Sequence, residues 1–377
     1  MRIKVVFLPV LAVILFVLTS CWNYREVNEM AIIIGAAVDK GVENQYMLTV
    51  ELLDVSGGAQ TELSTRILSV EGETVFDAAR KLISVEGKRG YWGHTRVLIV
   101  NEEIAREDIT EAVSFFHQDA EARGDLYVIV SRGYSAREIM NSGIPYGEVL
   151  SESLAQGLEN SKFVSEIPET RLYTLSQDLK SSKVSPVLPA VTLLSIDDKK
   201  VPVLRGAAVF QKSRMVGFLD EEETKAMLFL KNEIEGGVLV TKAGKTRVSL
   251  EIKDNNTKIK VKTEGDRLII DITVQTKAII DEVIGNLEFS DIEMLDEIKR
   301  LSEEQLKSKL EKIIDKARYY RTDIFGFGQK IYEDNPGKWN EISDDYETEF
   351  AKIDVNLTVK VEIPNTSIIF KHLDEGE

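Results

Sequence analysis

Cysteine and histidine are nearly absent from this chain. Its 377 residues include one cysteine, Cys21, and three histidines, His94, His117 and His372. A single thiol cannot form a disulfide within the chain, and it cannot supply the paired ligands of a structural zinc site. The histidines are too scattered along the sequence to suggest a metal centre. The sequence therefore predicts no disulfide framework, no metal and no cofactor.

Positive charge is also scarce, with 47 Lys and Arg against 63 Asp and Glu and a formal net charge of -16. Sequence-independent binding of nucleic acid needs clustered Lys and Arg to neutralise the phosphates, and the sequence contains no such stripe. We therefore exclude nucleic acid as a partner. The acidity also disfavours lying flat on anionic lipid, although it could equally serve only to keep an exported protein soluble.

A membrane-spanning apolar run is missing from the start of the chain. The apolar stretch from Val5 to Leu18 is shorter than the about 20 residues that a spanning helix needs. It follows Arg2 and Lys4 and precedes small residues, which is the arrangement of an export signal. The signal ends in Leu18-Thr19-Ser20-Cys21, where a bacterial lipoprotein carries its lipid.

These features predict that residues 1–20 are a lipoprotein signal peptide and that Cys21 is lipidated. Two or three acyl chains, such as palmitate, would hold the protein firmly to a bilayer. A plain secretory signal and a buried cysteine without a role are the alternatives. We expect the lipid to be the only membrane contact, with an acidic ectodomain that stands off the headgroups.

The length predicts more than one domain, because residues 21–377 exceed what a single hydrophobic core usually organises. The overall class is predicted to be α+β, with two to three domains of mixed or antiparallel sheets and packed helices. Four of the eight prolines, Pro168, Pro186, Pro189 and Pro202, mark a seam near residues 195–205. We place an N-terminal α/β-type domain at 21–200.

Hydrophobic periodicity predicts the elements of the first half. Strands are expected at 31–38 and 46–55 as a hairpin, at 96–100 and at 126–130, with helices at 74–85 and 107–117. Helices that alternate with strands favour an α/β or α+β layer over a sandwich.

The second half carries more regular signals. A hairpin is expected around the polar turn 211–214, and Asp220 with Glu223 has the spacing of a helix capping box. Strands are expected at 248–252, 259–261 and 268–274.

A long amphipathic segment and an alternating segment follow. Apolar residues from 291 to 320 predict one long helix, or two broken near Ser302, with Ser290 and Glu293 spaced as a capping box. The apolar stripe could receive a partner, but packing on the protein's own sheet is commoner. Alternation over 355–363 predicts a half-buried strand, which we expect in an antiparallel sheet covered by that helix.

Five sequence blocks occur in a characteristic order. The predicted mature start reads Cys21-Trp22-Asn23-Tyr24-Arg25-Glu26, and Gly93-His94-Thr95-Arg96 and Asp119-Ala120-Glu121-Ala122-Arg123 follow. The C-terminal half adds Gly206-Ala207-Ala208-Val209-Phe210 with Met215-Val216-Gly217-Phe218-Leu219, then Asp323-Ile324-Phe325-Gly326-Phe327-Gly328 ahead of Trp339. Together these blocks resemble the Ger(x)C spore-germination lipoproteins, the C subunits of nutrient germinant receptors.

The chain departs from the family pattern in three places. Asn23 replaces an acid, His117-Gln118 precede Asp119 where an Arg is usual, and residues 363–367 lack a basic, Gly-bearing turn. The last departure leaves the exit of the final strand open and suggests a divergent paralogue with a different partner or ligand.

The resemblance implies a non-enzymatic receptor subunit that is lipid-anchored on the outer face of the spore inner membrane. It would assemble with two multi-spanning membrane subunits, and direct contact with a small-molecule germinant stays open. The resemblance also implies three α+β domains. We therefore expect a middle hairpin-helix subdomain at 201–235 and a C-terminal α+β domain with the long helix at 236–377.

No residue pattern points to catalysis. The sequence has no His-Glu-x-x-His, no nucleophile elbow and no phosphate loop. Gly326-Phe327-Gly328 lacks the later glycine of a dinucleotide loop, so we interpret it as a turn. Carboxylate pairs such as Asp197-Asp198 are expected by chance in so acidic a chain. We predict that the protein is not an enzyme.

The candidate contacts with a membrane or a partner are Trp22, Tyr24, Arg25, Trp92 and His94. Trp22 adjoins the predicted lipid site and either rests at the headgroup level or packs on the domain. The segment 91–94 is either a loop that touches a partner or the start of a strand with buried aromatic rings. Trp339, after the Pro336-Gly337 turn, is interpreted as a core residue.

Two functions of different classes remain. One is the receptor subunit, in a stable complex with multi-spanning membrane proteins. The other is an extracytoplasmic solute-binding or hydrolytic lipoprotein, which would need a deep ligand cleft between the halves. The sequence favours the first, because no polar constellation converges recognisably on one site.

Overall fold

Two β-sheets organise the chain. The computed structural model describes residues 30–54, 64–142, 149–265, 267–285 and 291–364, except for the side chains at 291 and 292. Within these residues a nine-stranded sheet takes up the first part of the chain, and a four-stranded sheet takes up the second. The predicted α+β class with more than one packed unit is confirmed.

The first sheet alternates with helices along the chain. Its elements are β1 (Met30–Lys40), β2 (Tyr46–Asp54), β3 (Ser64–Gly72), α1 (Val75–Glu86), β4 (Arg89–Tyr91), β5 (Val97–Val100), α2 (Glu102–Gln118), β6 (Tyr127–Ser131), α3 (Ala136–Met140), α4 (Leu150–Glu159), α5 (Leu172–Lys180), β7 (Val187–Ile196), β8 (Lys199–Gln211) and β9 (Arg214–Leu219). Short 3-10 turns lie at Ser161–Phe163 and Ser343–Asp345.

A parallel centre and antiparallel flanks characterise this sheet. The strand order is β3-β2-β1-β5-β6-β7-β8-β9, with β4 beside the start of β1, and β1, β5, β6 and β7 run parallel. β5 and β6 are buried throughout, as expected for parallel strands covered on both faces. The helices α1, α2 and α5 cover one face, and α3 and α4 cover the other.

The predicted seam near residue 200 falls at a hairpin turn inside this sheet. β7 and β8 form a hairpin whose turn lies between Ile196 and Lys199. Pro189 lies in β7 beside a register shift, and Pro202 lies in β8 opposite Leu193. A bulge is one of the places where a strand accepts proline. Pro189 and Pro202 therefore lie within paired strands, not in a linker.

The second unit has the elements α6 (Glu221–Lys231), β10 (Val238–Ala243), β11 (Thr246–Glu264), β12 (Arg267–Ile284), α7 (Asp291–Tyr320), α8 (Phe327–Asp334), α9 (Pro336–Ile342), α10 (Tyr346–Phe350) and β13 (Asp354–Glu362). Its sheet has the order β10-β11-β12-β13. The predicted strand segments between 248 and 274 belong to two long strands that form a continuous hairpin.

The direction of β13 differs from the prediction. The strand alternates as expected, but it pairs parallel with β12, from Ile269 opposite Asp354 to Lys277 opposite Glu362. The sheet is therefore mixed, not antiparallel. Parallel neighbours require a long crossover, and the helices α7 to α10 between β12 and β13 supply it.

The long amphipathic segment is one helix, α7, and it packs on its own sheet against β10 and β13. Ser302 does not break it, since its hydroxyl donates to the Ile298 carbonyl at 2.6 Å and shares a hydrogen bond of 2.7 Å with Thr241 of β10. The capping box predicted at the start of α7 involves Ser290, which lies outside the described residues.

The helix α6 joins the two sheets. Its residues 224–230 are all buried, and one continuous apolar cluster runs from β7, β8 and β9 through α6 into the second sheet. The predicted capping box of Asp220 and Glu223 is present. The strands β8 and β9 belong to the first sheet, so the stretch 201–235 is not a separate subdomain.

In the parts of the chain that the structure describes, no helix is both long and apolar enough to cross a membrane.

Candidate functional site

Two of the sequence blocks, at 93–96 and 119–123, lie near the surface at which β1 begins. β4 pairs with the first residues of β1, with Met30 opposite Arg89 and Ala31 opposite Gly90. The Arg96 amide donates to the Ile34 carbonyl at 2.6 Å and thereby closes the loop that follows β4. We call this surface, formed by the start of β1, β4, residues 92–96 and residues 119–125, the amino-terminal face.

Trp92 lies beneath this face instead of on it. Its side chain is 5% exposed, and its ring packs edge-on against Phe115 and Phe116 at centroid distances of 5.1 and 5.5 Å. The ring therefore belongs to the core below α2. This burial corrects the expectation that Trp92 contacts a membrane or a partner directly.

His94 lies two residues further on and is exposed. Its imidazole stacks edge-on against Tyr91 at a centroid distance of 5.5 Å, which fixes it at the rim of the loop. Arg96 anchors the end of the loop through ion pairs with Glu152 at 3.1 Å and Glu159 at 2.8 Å. His94 thus stays a candidate contact residue on a loop held rigidly from both sides.

The segment 119–123 lies next to this loop. The Asp119 carboxylate accepts the Glu121 amide at 2.8 Å, and the Glu121 carboxylate pairs with Arg89 of β4 at 2.9 Å. The segment 119–123 therefore meets β4, 32 residues earlier in the sequence, at the end of the sheet where β1 begins. His117, at the end of α2, shares a hydrogen bond with the Ser176 hydroxyl at 3.2 Å.

Four of the predicted contact or lipid residues, Cys21, Trp22, Tyr24 and Arg25, lie outside the described residues. Their distance from the amino-terminal face is nevertheless bounded, because Cys21 precedes Met30 by nine residues. Nine residues of fully extended chain reach about 30 Å at most.

Asp323, in the fifth block, is buried and organises the turn before α8. Its carboxylate accepts the amides of Phe325 at 3.2 Å, Gly326 at 3.0 Å and Gly328 at 2.7 Å, and the Tyr346 hydroxyl donates to it at 2.7 Å. Burial raises the pKa of Asp323, and these hydrogen bonds oppose that shift. The predicted turn at 326–328 is present, with Gly326 at a φ of 79° as the cap of α8.

Glycine at 328 is required by close packing. A Cβ atom there would lie 2.6 Å from the Lys183 carbonyl oxygen and 2.8 Å from the Tyr346 ring. Gly217 of the fourth block is similar, since a Cβ atom would lie 2.4 Å from the Tyr320 hydroxyl of α7. Both glycines allow the second unit to approach the first.

Two further acidic side chains are buried in the first unit. Asp39 accepts the amides of Ala136 and Arg137, both at 2.7 Å, and the Asn101 side-chain amide at 2.8 Å. Burial raises the pKa of Asp39 from its ordinary value. Glu51 likewise accepts the amides of Leu150 and Ser151, at 2.9 and 2.8 Å. These carboxylates satisfy the amino-terminal amides of α3 and α4, which is a structural task.

Two open clefts accompany these sites. One, of about 540 Å³, lies over the carboxyl ends of β1 and β5 beside Asp39 and Asn101. The other, of about 460 Å³, lies at the junction of the two units and is lined by Lys180, Arg321 and Asp344 together with several serines. Within the described residues, no group of three or more His, Cys, Asp or Glu side chains could hold a metal ion.

Ion pairs hold the junction itself. The first turn of α6 carries Glu221, Glu222 and Glu223, which favour a helix amino terminus. Glu221 pairs with Arg205 of β8, whereas the other two pair with Lys309 and Lys316 of α7. Deeper in α6, the nearly buried Lys225 donates to Glu166 at 2.9 Å and to the Val238 carbonyl at 3.2 Å. The role of Lys225 was not recognised from sequence, since its partner Glu166 lies 59 residues away along the chain.

Two family models match the chain in order. The model described as "Spore germination protein N-terminal domain" matches residues 23–193. The model described as "Spore germination B3/ GerAC like, C-terminal" matches residues 205–367. The stretch between the two matches contains the turn of the β7–β8 hairpin.

Curated relatives and a solved structure agree with these matches. Spore germination protein KC of Bacillus subtilis (strain 168) is 24% identical over 92% of this chain and 91% of its own. Spore germination protein B3 of the same organism is 24% identical over 95% of this chain and 96% of its own. The crystal structure of the GerBC protein matches with a TM-score of 0.61 at 22% identity, over 87% of this chain and 96% of that one. The last similarity shows a shared fold.

Proposed function

We propose that this chain, which belongs to the GerAC-like family of spore germination proteins, is a lipid-anchored, non-enzymatic subunit of a nutrient germinant receptor. In this proposal it lies on the outer face of the spore inner membrane and assembles with multi-spanning membrane subunits. The observation that carries the proposal is that both family models match in order, directly behind the Leu18-Thr19-Ser20-Cys21 signal.

The short distance in sequence between Cys21 and β1 supports anchoring on one side. A lipid on Cys21 would keep the amino-terminal face within about 30 Å of the bilayer, because Met30 follows Cys21 by only nine positions. His94 would then lie on the membrane side, on a loop that ion pairs hold in place.

The buried carboxylates support a role without catalysis. Asp39 and Glu51 each accept three hydrogen bonds and Asp323 accepts four, so most of the about four acceptor sites of each carboxylate are used within the fold. A general acid or base has to reach a substrate proton directly or through one water.

Lipidation is tested by the mass of the processed protein from a sporulating host. We expect a chain that begins at Cys21 and carries acyl chains, and we expect Cys21→Ala to release it from the membrane. A Cys21→Ala protein that stays membrane-bound and supports a normal nutrient response would contradict the anchoring part of the proposal.

Assembly is tested by photo-crosslinking in the native spore membrane. A photoreactive residue at His94 should capture multi-spanning subunits, which mass spectrometry then identifies. The matched control is Val42, which is 89% exposed in the turn at the opposite end of β1. If position 94 captures no membrane protein under conditions that preserve a known membrane complex, the assembly part fails.

The junction cleft favours a second candidate function, the binding of a small solute. It lies between the two units, has a volume within the range of ligand pockets, and offers charges of both signs from Lys180, Arg321 and Asp344. A thermal shift of the mature chain with an amino acid or a sugar, lost in Arg321→Ala, would establish this function. Saturating solutes that leave the melting temperature unchanged would remove it.

A further inference from the structure

The helix α1 has an exposed stripe that combines apolar and basic side chains. Phe76, Arg80 and Ile83 follow one another at helical spacing of four and three residues, so they share one side of the helix. Phe76 is 48% exposed and Ile83 is 40% exposed. The Arg80 guanidinium lies over the Phe76 ring, 4.8 Å from its centroid. We call these three residues the α1 stripe.

The stripe lies on the same side of the molecule as the start of β1. α1 ends at Glu86 and leads through Gly87 directly into β4, which pairs with the first residues of β1. Phe76 also packs near Phe115 at a ring centroid distance of 5.9 Å, so the stripe forms one wall of a shallow groove beside Arg89. The stripe therefore borders the amino-terminal face.

Two exposed basic side chains lie beside the stripe, although the chain as a whole carries a net charge of -16. They are Arg80 and Lys88, and neither forms an ion pair with another residue that the structure describes. The other basic side chains nearby are paired, since Lys81 pairs with Asp77 at 2.8 Å and Arg89 pairs with Glu121 at 2.9 Å. The positive charge available to an anionic surface therefore comes from Arg80 and Lys88.

We propose that the α1 stripe and the basic residues around it dock on the anionic lipid surface to which the chain is anchored. Interfacial helices place aromatic and aliphatic side chains at the headgroup boundary and basic side chains among the lipid phosphates. The eight residues between Cys21 and β1 keep this surface within reach of the bilayer. The acyl chains on Cys21 are then not the only membrane contact. The net negative charge of the whole chain does not describe the local charge beside the α1 stripe.

This inference rests on the proposed function for the presence of a nearby membrane, so its test replaces the natural anchor. The described fold begins at Met30, and a chain from residue 22 onward keeps all of it. A hexahistidine tag in place of residues 1–21 tethers this chain to vesicles that contain a nickel-chelating lipid. The vesicles consist of phosphatidylcholine, with or without phosphatidylglycerol.

Removal of Cys21 leaves a chain without cysteine, so a single introduced thiol can be labelled selectively. A fluorophore at Ile83→Cys should be quenched by spin-labelled lipid in vesicles that contain phosphatidylglycerol. The same label at Val42→Cys should not be quenched, because the 11 residues of β1 separate the two ends by about 35 Å. Quenching at position 83 should decrease on phosphatidylcholine alone.

Charge and apolar contributions are separated by substitution. Arg80→Ala should lower the docking equilibrium about fivefold, which corresponds to one basic residue at an anionic surface. Lys245→Ala, an exposed lysine in the β10–β11 turn, removes the same charge and should leave the equilibrium unchanged. Phe76→Ser should weaken docking on both kinds of vesicle.

Equal quenching at positions 83 and 42, or none at either, would overturn the inference. Photo-crosslinks from position 83 to a protein, without quenching by lipid, would assign the stripe to a protein partner and also overturn it. An acyl-free Cys21 in the natural protein would remove the anchoring part of the proposed function and leave the result with tethered vesicles as it stands.

Discussion

The substitution Asp323→Asn tests whether one buried carboxylate holds the turn before α8. The native carboxylate accepts three backbone amides and the Tyr346 hydroxyl. An asparagine keeps one acceptor oxygen and places an amide group at the other position. If that amide group faces the Tyr346 oxygen, the Gly328 amide loses its acceptor within the buried core.

The expected cost follows from these contacts. An unsatisfied buried donor costs about 1–3 kcal/mol, and the hydrogen bond with Tyr346, worth about 1 kcal/mol, is disturbed as well. We therefore expect Asp323→Asn to lower the free energy of unfolding by about 2–4 kcal/mol. At about 2–4 °C per kcal/mol for a unit of this size, the melting temperature should decrease by about 4–16 °C.

Thermal unfolding followed by tryptophan fluorescence is a suitable assay, because Trp339 lies 4.9 Å from Tyr346 between ring centroids. Asp344→Asn is the matched control, since it makes the same chemical change at an exposed position nearby and should cost less than about 0.5 kcal/mol. Tyr346→Phe alone should cost about 1 kcal/mol. A decrease no larger in Asp323→Asn than in Asp344→Asn would refute the assigned role of the carboxylate.

Three other substitutions test the junction and the first unit. Lys225→Ala leaves Glu166 and the Val238 carbonyl without their donor and should cost about 2 kcal/mol in thermal unfolding, and an unchanged melting temperature would show that the pair is dispensable. Gly328→Ala forces a Cβ against a backbone carbonyl and should lower the urea midpoint by an amount equivalent to about 1–3 kcal/mol, which a wild-type midpoint would contradict. Burial raises the pKa of Asp39 above its ordinary value of 3.8. Between the pKa of the unfolded chain and that of the folded chain, only the folded chain keeps the proton, so the free energy of unfolding decreases as the pH rises through this range. Asp39→Asn should flatten this slope in urea unfolding at a series of pH values, and an unchanged slope would assign it to another group.

Local periodicity made several elements predictable from sequence. The apolar repeat of α7 and the alternation of β13 depend only on which side of the element faces the core, and both were predicted with nearly correct bounds. The direction of β13 was not predictable from alternation, because a strand alternates in the same way whether its neighbour is parallel or antiparallel. The direction depends on the crossover, and thus on helices packed far from the strand in sequence.

The prolines show a different limit. Clustered prolines and serines typically mark loops, and this led to a boundary near residue 200. Pro189 and Pro202 instead lie in paired strands of one sheet. A strand tolerates proline where its missing amide would not have paired, and the sequence does not reveal which amides pair.

The candidate site was predictable in outline only. The blocks that contain His94 and Glu121 were found in sequence, but their meeting through Arg89 depends on the β1–β4 pairing. Trp92 and His94 are separated by one residue, yet one is buried and the other exposed. The sequence alone left both alternatives open, because a bend at Gly93 can direct either ring inward.

The junction determines what a membrane contact at α1 means for the rest of the molecule. A single apolar cluster runs through α6 into the second sheet, and Glu222 and Glu223 fix α7 through Lys309 and Lys316. A continuous core of this kind resists hinge motion, since separating the units would expose buried apolar surface. If α1 rests on lipid, the second sheet is therefore held at a defined height and orientation above the bilayer. The surface that it offers to neighbouring subunits is then set by the contact at the amino-terminal face, and substitutions at Arg80 should alter assembly without touching a partner.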